Sequence, residues 1–420
     1  MDPAGRFQHT IFHGDAPALR QFLLDHPEMK PRIDEPLFPF DSPAITFAAG
    51  RGNLDVVDVL LEAGASIHAR SGWWAGGFGV LDHDHHQIVP ALIQRGAAVD
   101  AYAAARHGMI DTLRQLIDAR PELVHARGGD GQTPLHVAAS VAIAEFLLDR
   151  GAAIDACDVD HESTPAQYLV RSHPEIVRFL IARGCRTDIL LASAAGDTAL
   201  VRRHLDRDPE SIRTRVTAQY FPMQNPHAGG SIYIWTLGKN HGPLQVAREF
   251  GHEDVLQLLL ERTPDDLRLA DACLAADTAA VQALMTSSPE AVRASARANP
   301  GFISDAAESN NATAVHLMLE CGWPLEGDGR RTPLHWACWH GNAEMALDLL
   351  RFHPPLEFQD ADYHATPLGW AIHGSEHGWH PESGDYPGAV EALLSAGAHR
   401  PEKIAGTPAV QEVLRRAAEI

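Results

Sequence analysis

The chain has 420 residues, of which 45% are hydrophobic and 21% charged. This ordinary globular balance excludes a disordered, collagen-like or coiled-coil chain. Its 34 Lys+Arg against 55 Asp+Glu leave a formal net charge of -21, a field that repels phosphate backbones and argues against nucleic acid or an anionic membrane as partner. No uncharged apolar run approaches the roughly 18 residues that span a bilayer. The N-terminus, MDPAGRFQHTIFHGD, lacks the basic and apolar regions of a secretory signal. The five cysteines are odd in number and form no CxxC, the pattern of reduced intracellular thiols. A cytoplasmic location is therefore expected.

In chain order, the strongest signal is self-similarity. TPLHVAA at 133–139, TPAQYL at 164–169, TPLHWAC at 332–338 and TPLGWAI at 366–372 each precede a second apolar stretch that ends in a small-residue turn, as in AEFLLDRGA at 144–152. Other stretches, such as LDVVDVLLEAGASIHAR at 54–70, carry only the second half plainly. The unit reads as helix, tight turn, second helix and looped return. Thr offers a hydroxyl to orphan N–H groups at the helix start, and Pro follows at the first helical position, where its missing N–H costs nothing. Gly64, Gly151 and Gly397 supply left-handed stops. One unit cannot bury its own apolar face, so neighbours must stack.

On TPLH at 133–136 and 332–335 and on the LL…GA endings, the chain resembles the ankyrin repeat family over nearly its whole length. Helix pairs are expected near 7–26, 43–64, 78–96, 101–120, 133–151, 164–184, 189–209, 243–262, 267–289, 302–322, 333–353 and 367–397, with a capping helix at 407–418. The fold class is thus all-α: a single curved solenoid over 1–420 of about twelve helix pairs, at about 10 Å between neighbouring helices. Proline after the second helix, as in DHPE at 25–28 and ARPE at 119–122, blocks its continuation.

Three stretches break the repeat: SGWWAGGFG at 71–79, residues 214–240 and HGSEHGWHPESGDYPG at 373–388. Long connections in a compact array are functional or disordered, and the aromatic content argues against disorder. SIYIWTLG at 231–238 is expected to form a short strand pair or lid.

The resemblance implies a concave groove lined by the residue pair before each inter-helix Gly, among them Trp339 and His340. The groove, the insertions and the loop tips supply the candidate ligand-binding residues Trp73, Trp74, His161, Glu162, Trp235, Arg331, Trp339 and His340. Trp336 and Trp370 occupy slots that normally hold core residues. Exposed aromatic faces beside Glu, Asp and His suit a sugar ring, a cation or an aromatic metabolite. The loops DVDHESTP at 158–165 and DADYHATP at 360–367 are of equal length, and Asp158 and Asp360 read as turn caps. LDHDHHQ at 81–87 and EHGWH at 376–380 offer oxygen and imidazole ligands without metal-motif spacing, so no metal or cofactor is expected. The leading reading is a binding protein that takes a protein or a small polar ligand in its groove. The alternative is an enzyme in which Glu376, His377, His380 and His373 do acid–base work on a small polar substrate such as a carbohydrate.

Overall fold

The protein is described by a computed structural model covering residues 3–327 and 329–417. Among these residues the regular structure is entirely helical, apart from one isolated bridge between Phe38 and Ser42. Two compact units emerge. The first comprises residues 1–204 and 214–241, the second 205–213 and 242–420.

The repeat grammar accounts for the elements of each unit. In the second unit Thr332 caps Pro333–Trp339, its hydroxyl accepting from the His335 amide at 3.4 Å. The His335 ring accepts from the Thr332 N–H at Nδ1 (3.2 Å), so its Nε2–H donates to the Ala365 carbonyl at 3.1 Å. His136 does the same in the first unit, between Thr133 N–H (3.0 Å) and the Ser163 carbonyl (3.1 Å). The TPLH histidine is therefore a staple that ties each repeat to the next loop. Gly64, Gly151 and Gly397 have φ of 102°, 92° and 101° at helix ends, as a left-handed stop requires. Second helices end at Asp25, Ala119, Arg207 and Ser287, and the following prolines open new turns at Pro27, Pro121, Pro209 and Pro289. The core of each unit is mainly aliphatic. Val57, Leu60 and Leu92 are fully buried in the first unit, and Val315, Leu349 and Leu393 in the second.

Several expectations need correction. No first helix forms over 78–85, where only a 3₁₀ turn His86–Ile88 and the helix Val89–Gln94 appear. There Asp82 is buried and takes bonds from Arg70 (2.7 Å) and the Gly79 amide (2.8 Å), which closes a turn instead. The segment after Thr133, Pro134–Val137, is 3₁₀, not α. SIYIWTLG forms no strand; Ile234–Gly238 is a single wide helical turn, fixed by the buried Tyr233, whose hydroxyl donates to Asp188 at 3.0 Å. Both ends of the insertion at 373–388 are helical, because Pro367–His377 runs into it and Tyr386–Ser395 starts within it. The capping helix spans Pro408–Arg416; residue 418 of its expected range lies outside the described residues.

Candidate functional site

In the first unit the insertions at 71–79 and 214–240 meet over two adjacent loop tips. The first tip is the glycine-rich turn around Asp130, which has φ 54°. Its carbonyl accepts from the Val159 amide (2.9 Å) and the Asp160 amide (3.2 Å) of the next tip. Gly131 between them has φ 71°, and a Cβ there would stand 2.3 Å from Val159 Cγ2, so only glycine lets the tips approach this closely. The second tip is closed by Asp158, as expected of a cap: its carboxylate accepts from the amides of His161 (2.8 Å) and Ser163 (2.7 Å) and from the Tyr168 hydroxyl (2.8 Å).

The long insertion is bonded onto this tip. Gly229 N–H donates to the Asp160 carbonyl (2.9 Å) and Ile232 N–H to the Ser163 hydroxyl (3.1 Å). Glu162 accepts from the amides of Gln224 (2.8 Å) and Asn225 (2.7 Å), so this candidate ligand residue anchors the insertion. From the other side, the Gly76 carbonyl accepts from the Asp130 amide at 3.2 Å. Trp73 is half-buried, edge-on to Phe40 at 5.0 Å. The rings of Trp74 and His227 lie 6.1 Å apart, a direct contact between the two insertions. Trp235 stands edge-to-face to His161 at 4.8 Å and remains 57% exposed.

Polar atoms converge beneath these aromatics. One ligand-type atom from each of Asp130, Asp160 and His161 lies within 4.8 Å of the others. His161 Nδ1 contacts the Gly230 carbonyl at 2.8 Å. A carbonyl can only accept, so Nδ1 carries the proton, and in the neutral ring Nε2 presents its lone pair. That Nε2 is 3.5 Å from Asp160 Oδ2. Burial pushes the Asp130 carboxyl up to about 6, with His161 opposing and the neighbouring Asp160 and Asp158 charges adding to the rise. The Trp73 indole N–H makes no hydrogen bond of normal geometry, yet it lies close enough to Asp130 to pull the carboxyl slightly down. Burial also raises Asp158 despite its three donors. This is a partly dehydrated cluster of two carboxylates and an imidazole beside Trp73 and Trp235. The sequence reading does not reach Asp130; its one signal is the GGDG turn at 128–131, one residue before TPLH, a run that favours positive φ.

The remaining candidates lie in the second unit. Trp336 and Trp370 are core residues, as expected, each 7% exposed. Trp339 is half-buried, stacked on His373 at 6.0 Å. His340, read as an exposed groove residue, is instead buried at 5% exposure, because its Nε2 is bonded to the Glu308 carbonyl at 2.8 Å one repeat away. Arg331 is ion-paired to Asp362 and lies over the rings of Trp336 (5.4 Å) and Trp370 (5.7 Å). Glu376, His377 and His373 are exposed. The His377–Glu376 pair is 4.0 Å apart, and the His380 ring is 5.3 Å from that of His340.

Two ankyrin family models match three stretches of the chain: "Ankyrin repeats (3 copies)" over residues 101–193 and "Ankyrin repeat" over 42–72 and 330–360. The chain carries ankyrin repeats in these stretches. The rat Ankyrin repeat and SAM domain-containing protein 6 is 28% identical over 135 residues, 31% of this chain and 15% of the rat protein. The mouse protein of that name is 28% identical over 134 residues, with the same two shares. The ankyrin-repeat chain thus spans about 15% of the length of these curated relatives. Among solved structures, the human ASB11 ankyrin repeat domain covers 72% of this chain and 100% of its own at 19% identity, with a TM-score of 0.26.

Proposed function

We propose that this ankyrin-repeat protein is a binding protein, and that its recognition surface is the aromatic wall raised over the loop tips of the first unit. The observation that carries the reading is the exposure of Trp74 (40%) and Trp235 (57%) on two insertions bonded to the tips. Large apolar rings held at a surface by a rigid support mark a contact for a ligand or a partner. The stacked repeats supply that support. The wall rims carboxylates and an imidazole, so it suits a partner segment or a small polar ligand that presents a cationic or aromatic group. Trp339, His373 and Arg331 offer a second, smaller surface of the same type. Five free cysteines fit a reducing compartment such as the cytoplasm. Among the described residues no helix is long and apolar enough to cross a membrane. The acid–base alternative draws no support from geometry, because Glu376 and His377 stay solvated at 46% and 60% side-chain exposure.

The test is affinity capture with the whole chain. Partners or metabolites are identified by mass spectrometry and then scored against a Trp74→Ala/Trp235→Ala double variant and against Trp379→Ala in the second unit. Ligand lost only with the double variant supports the assignment. A ligand retained by the double variant and lost with Trp379→Ala moves recognition to the second unit.

A further inference from the structure

We infer that Asp130, Asp160 and His161 form a binding site for one divalent transition-metal cation, of the Zn²⁺ or Mn²⁺ class. The inference is independent of which partner the aromatic wall recognises.

Three observations carry it. The donor set comes first. Two carboxylate oxygens and one imidazole nitrogen within 4.8 Å of one another are the ligand types that borderline divalent cations take, at about 2.0–2.2 Å. Ligands at that radius stand about 3–4 Å apart, so a small inward movement of side chains completes the set.

The second observation is a largely buried carboxylate facing a second carboxylate and an imidazole lone pair. The Asp160 side chain is only 8% exposed. Its Oδ1 accepts from the Gly229 amide at 3.2 Å, but among the described residues nothing donates a hydrogen bond to Oδ2. That oxygen is aimed at His161 Nε2 and the Asp130 carboxylate. Two carboxylates brought together in a partly dehydrated place repel each other unless a cation or a proton comes between them.

The third is the outer shell. His161 gives its Nδ1–H to the Gly230 carbonyl, which fixes the tautomer that leaves Nε2 free to ligate, the usual arrangement behind a metal-bound histidine. Asp130 is held by backbone bonds to Gly76, Val159 and Asp160. A Cβ at Gly229 would come within 3.1 Å of His161 Cε1 and 3.3 Å of Asp160 Oδ2, so the insertion presses bare backbone against the ligands. Trp73 and Trp235 limit water on the outside. The insertion at 214–240 is then more than a wall: it supplies the carbonyl and amide that orient two of the three ligands.

The competing explanation is a protonated His161 bridging two carboxylates with no metal. Equilibrium dialysis and titration calorimetry of the full chain with Co²⁺ as probe separate the two, with Co²⁺ ligand-field absorption and tryptophan fluorescence read in parallel. Wild type is expected to take up one more equivalent than each of Asp160→Asn, His161→Gln and Asp130→Asn, and to show quenching from Trp73 and Trp235. His377→Gln, exposed in the second unit, is expected to bind as wild type does, which subtracts adventitious histidine binding. Circular dichroism checks that each variant folds; Asn at 130 tolerates the positive φ, so at least that variant keeps the test valid. Uptake equal in wild type and in folded Asp130→Asn, or a His161 ring that titrates unchanged in NMR when metal is added, overturns the site.

Discussion

The loops at 158–165 and 360–367 have the same length and the same capping aspartate, yet their chemistry differs. Asp158 serves three donors, and burial still pushes its carboxyl up. At Asp360 burial also pushes up, but four donors outweigh it: the amides of Tyr363, Ala365 and Asp362 and the Trp370 indole N–H at 3.0 Å hold the carboxyl down at about 2. The first loop has an insertion bonded on top and further carboxylates beside it. The second has Arg330 and Arg331 on Asp362 and, among the described residues, no insertion bonded over it. One loop design thus becomes a dehydrated pocket or a tight structural knot, according to what is laid over it. Repeat chemistry fixes the cap, and the insertion decides whether polar groups beyond the cap lose water.

This contrast can be broken by mutation and by pH. The largest effect is expected in the knot. Trp370→Ala empties a buried slot and removes one of the four donors of Asp360, and should cost about 3–5 kcal/mol in urea unfolding; a loss below about 1 kcal/mol would mean that the knot is not part of the core.

Next comes His136, the staple between Thr133 and the pocket loop. Burial chiefly pushes its pKa down to about 4. The unfolded chain therefore takes up the proton first, near the ordinary value of about 6.5. Stability is full above that value and is lost as pH falls toward about 4, by about 3 kcal/mol. His136→Gln should flatten this limb of the stability–pH curve.

Asp360 acts in a lower window with the same sign. Its depressed pKa adds about 2 kcal/mol that is present above about pH 4 and lost toward about pH 2, and Asp360→Asn should remove that slope. The smallest effect is expected on the wall. Trp235→Ala and Trp379→Ala, both more than half exposed, should each shift stability by no more than about 0.5 kcal/mol, while only the first impairs ligand capture.

Much of this fold was legible in the sequence. TPLH and the terminal glycines placed helix starts and stops, because capping and positive φ are local demands that a few residues express. The roles of Asp158, Asp360, Trp336 and Trp370 followed from the same grammar. What was hidden depends on contacts between repeats. His340 was read as exposed from its place in the repeat, and only the Glu308 carbonyl, 32 positions away, shows why it is buried. SIYIWTLG has strand propensity, but Ser163 and Asp188 hold it in a helical turn. The Asp130–Asp160–His161 cluster was invisible as a motif because its members sit on successive loop tips, and linear spacing carries no trace of their approach.

The central claim is that the insertion at 214–240 is locked onto the loop tip at 158–163. Amide hydrogen exchange measures this directly. Gln224, Asn225, Gly229 and Ile232 each donate to that tip, so their amides should be protected in the wild-type chain, and Glu162→Ala should release Gln224 and Asn225 first. Exchange of all four at the rate of an unstructured peptide in the folded protein would contradict the account.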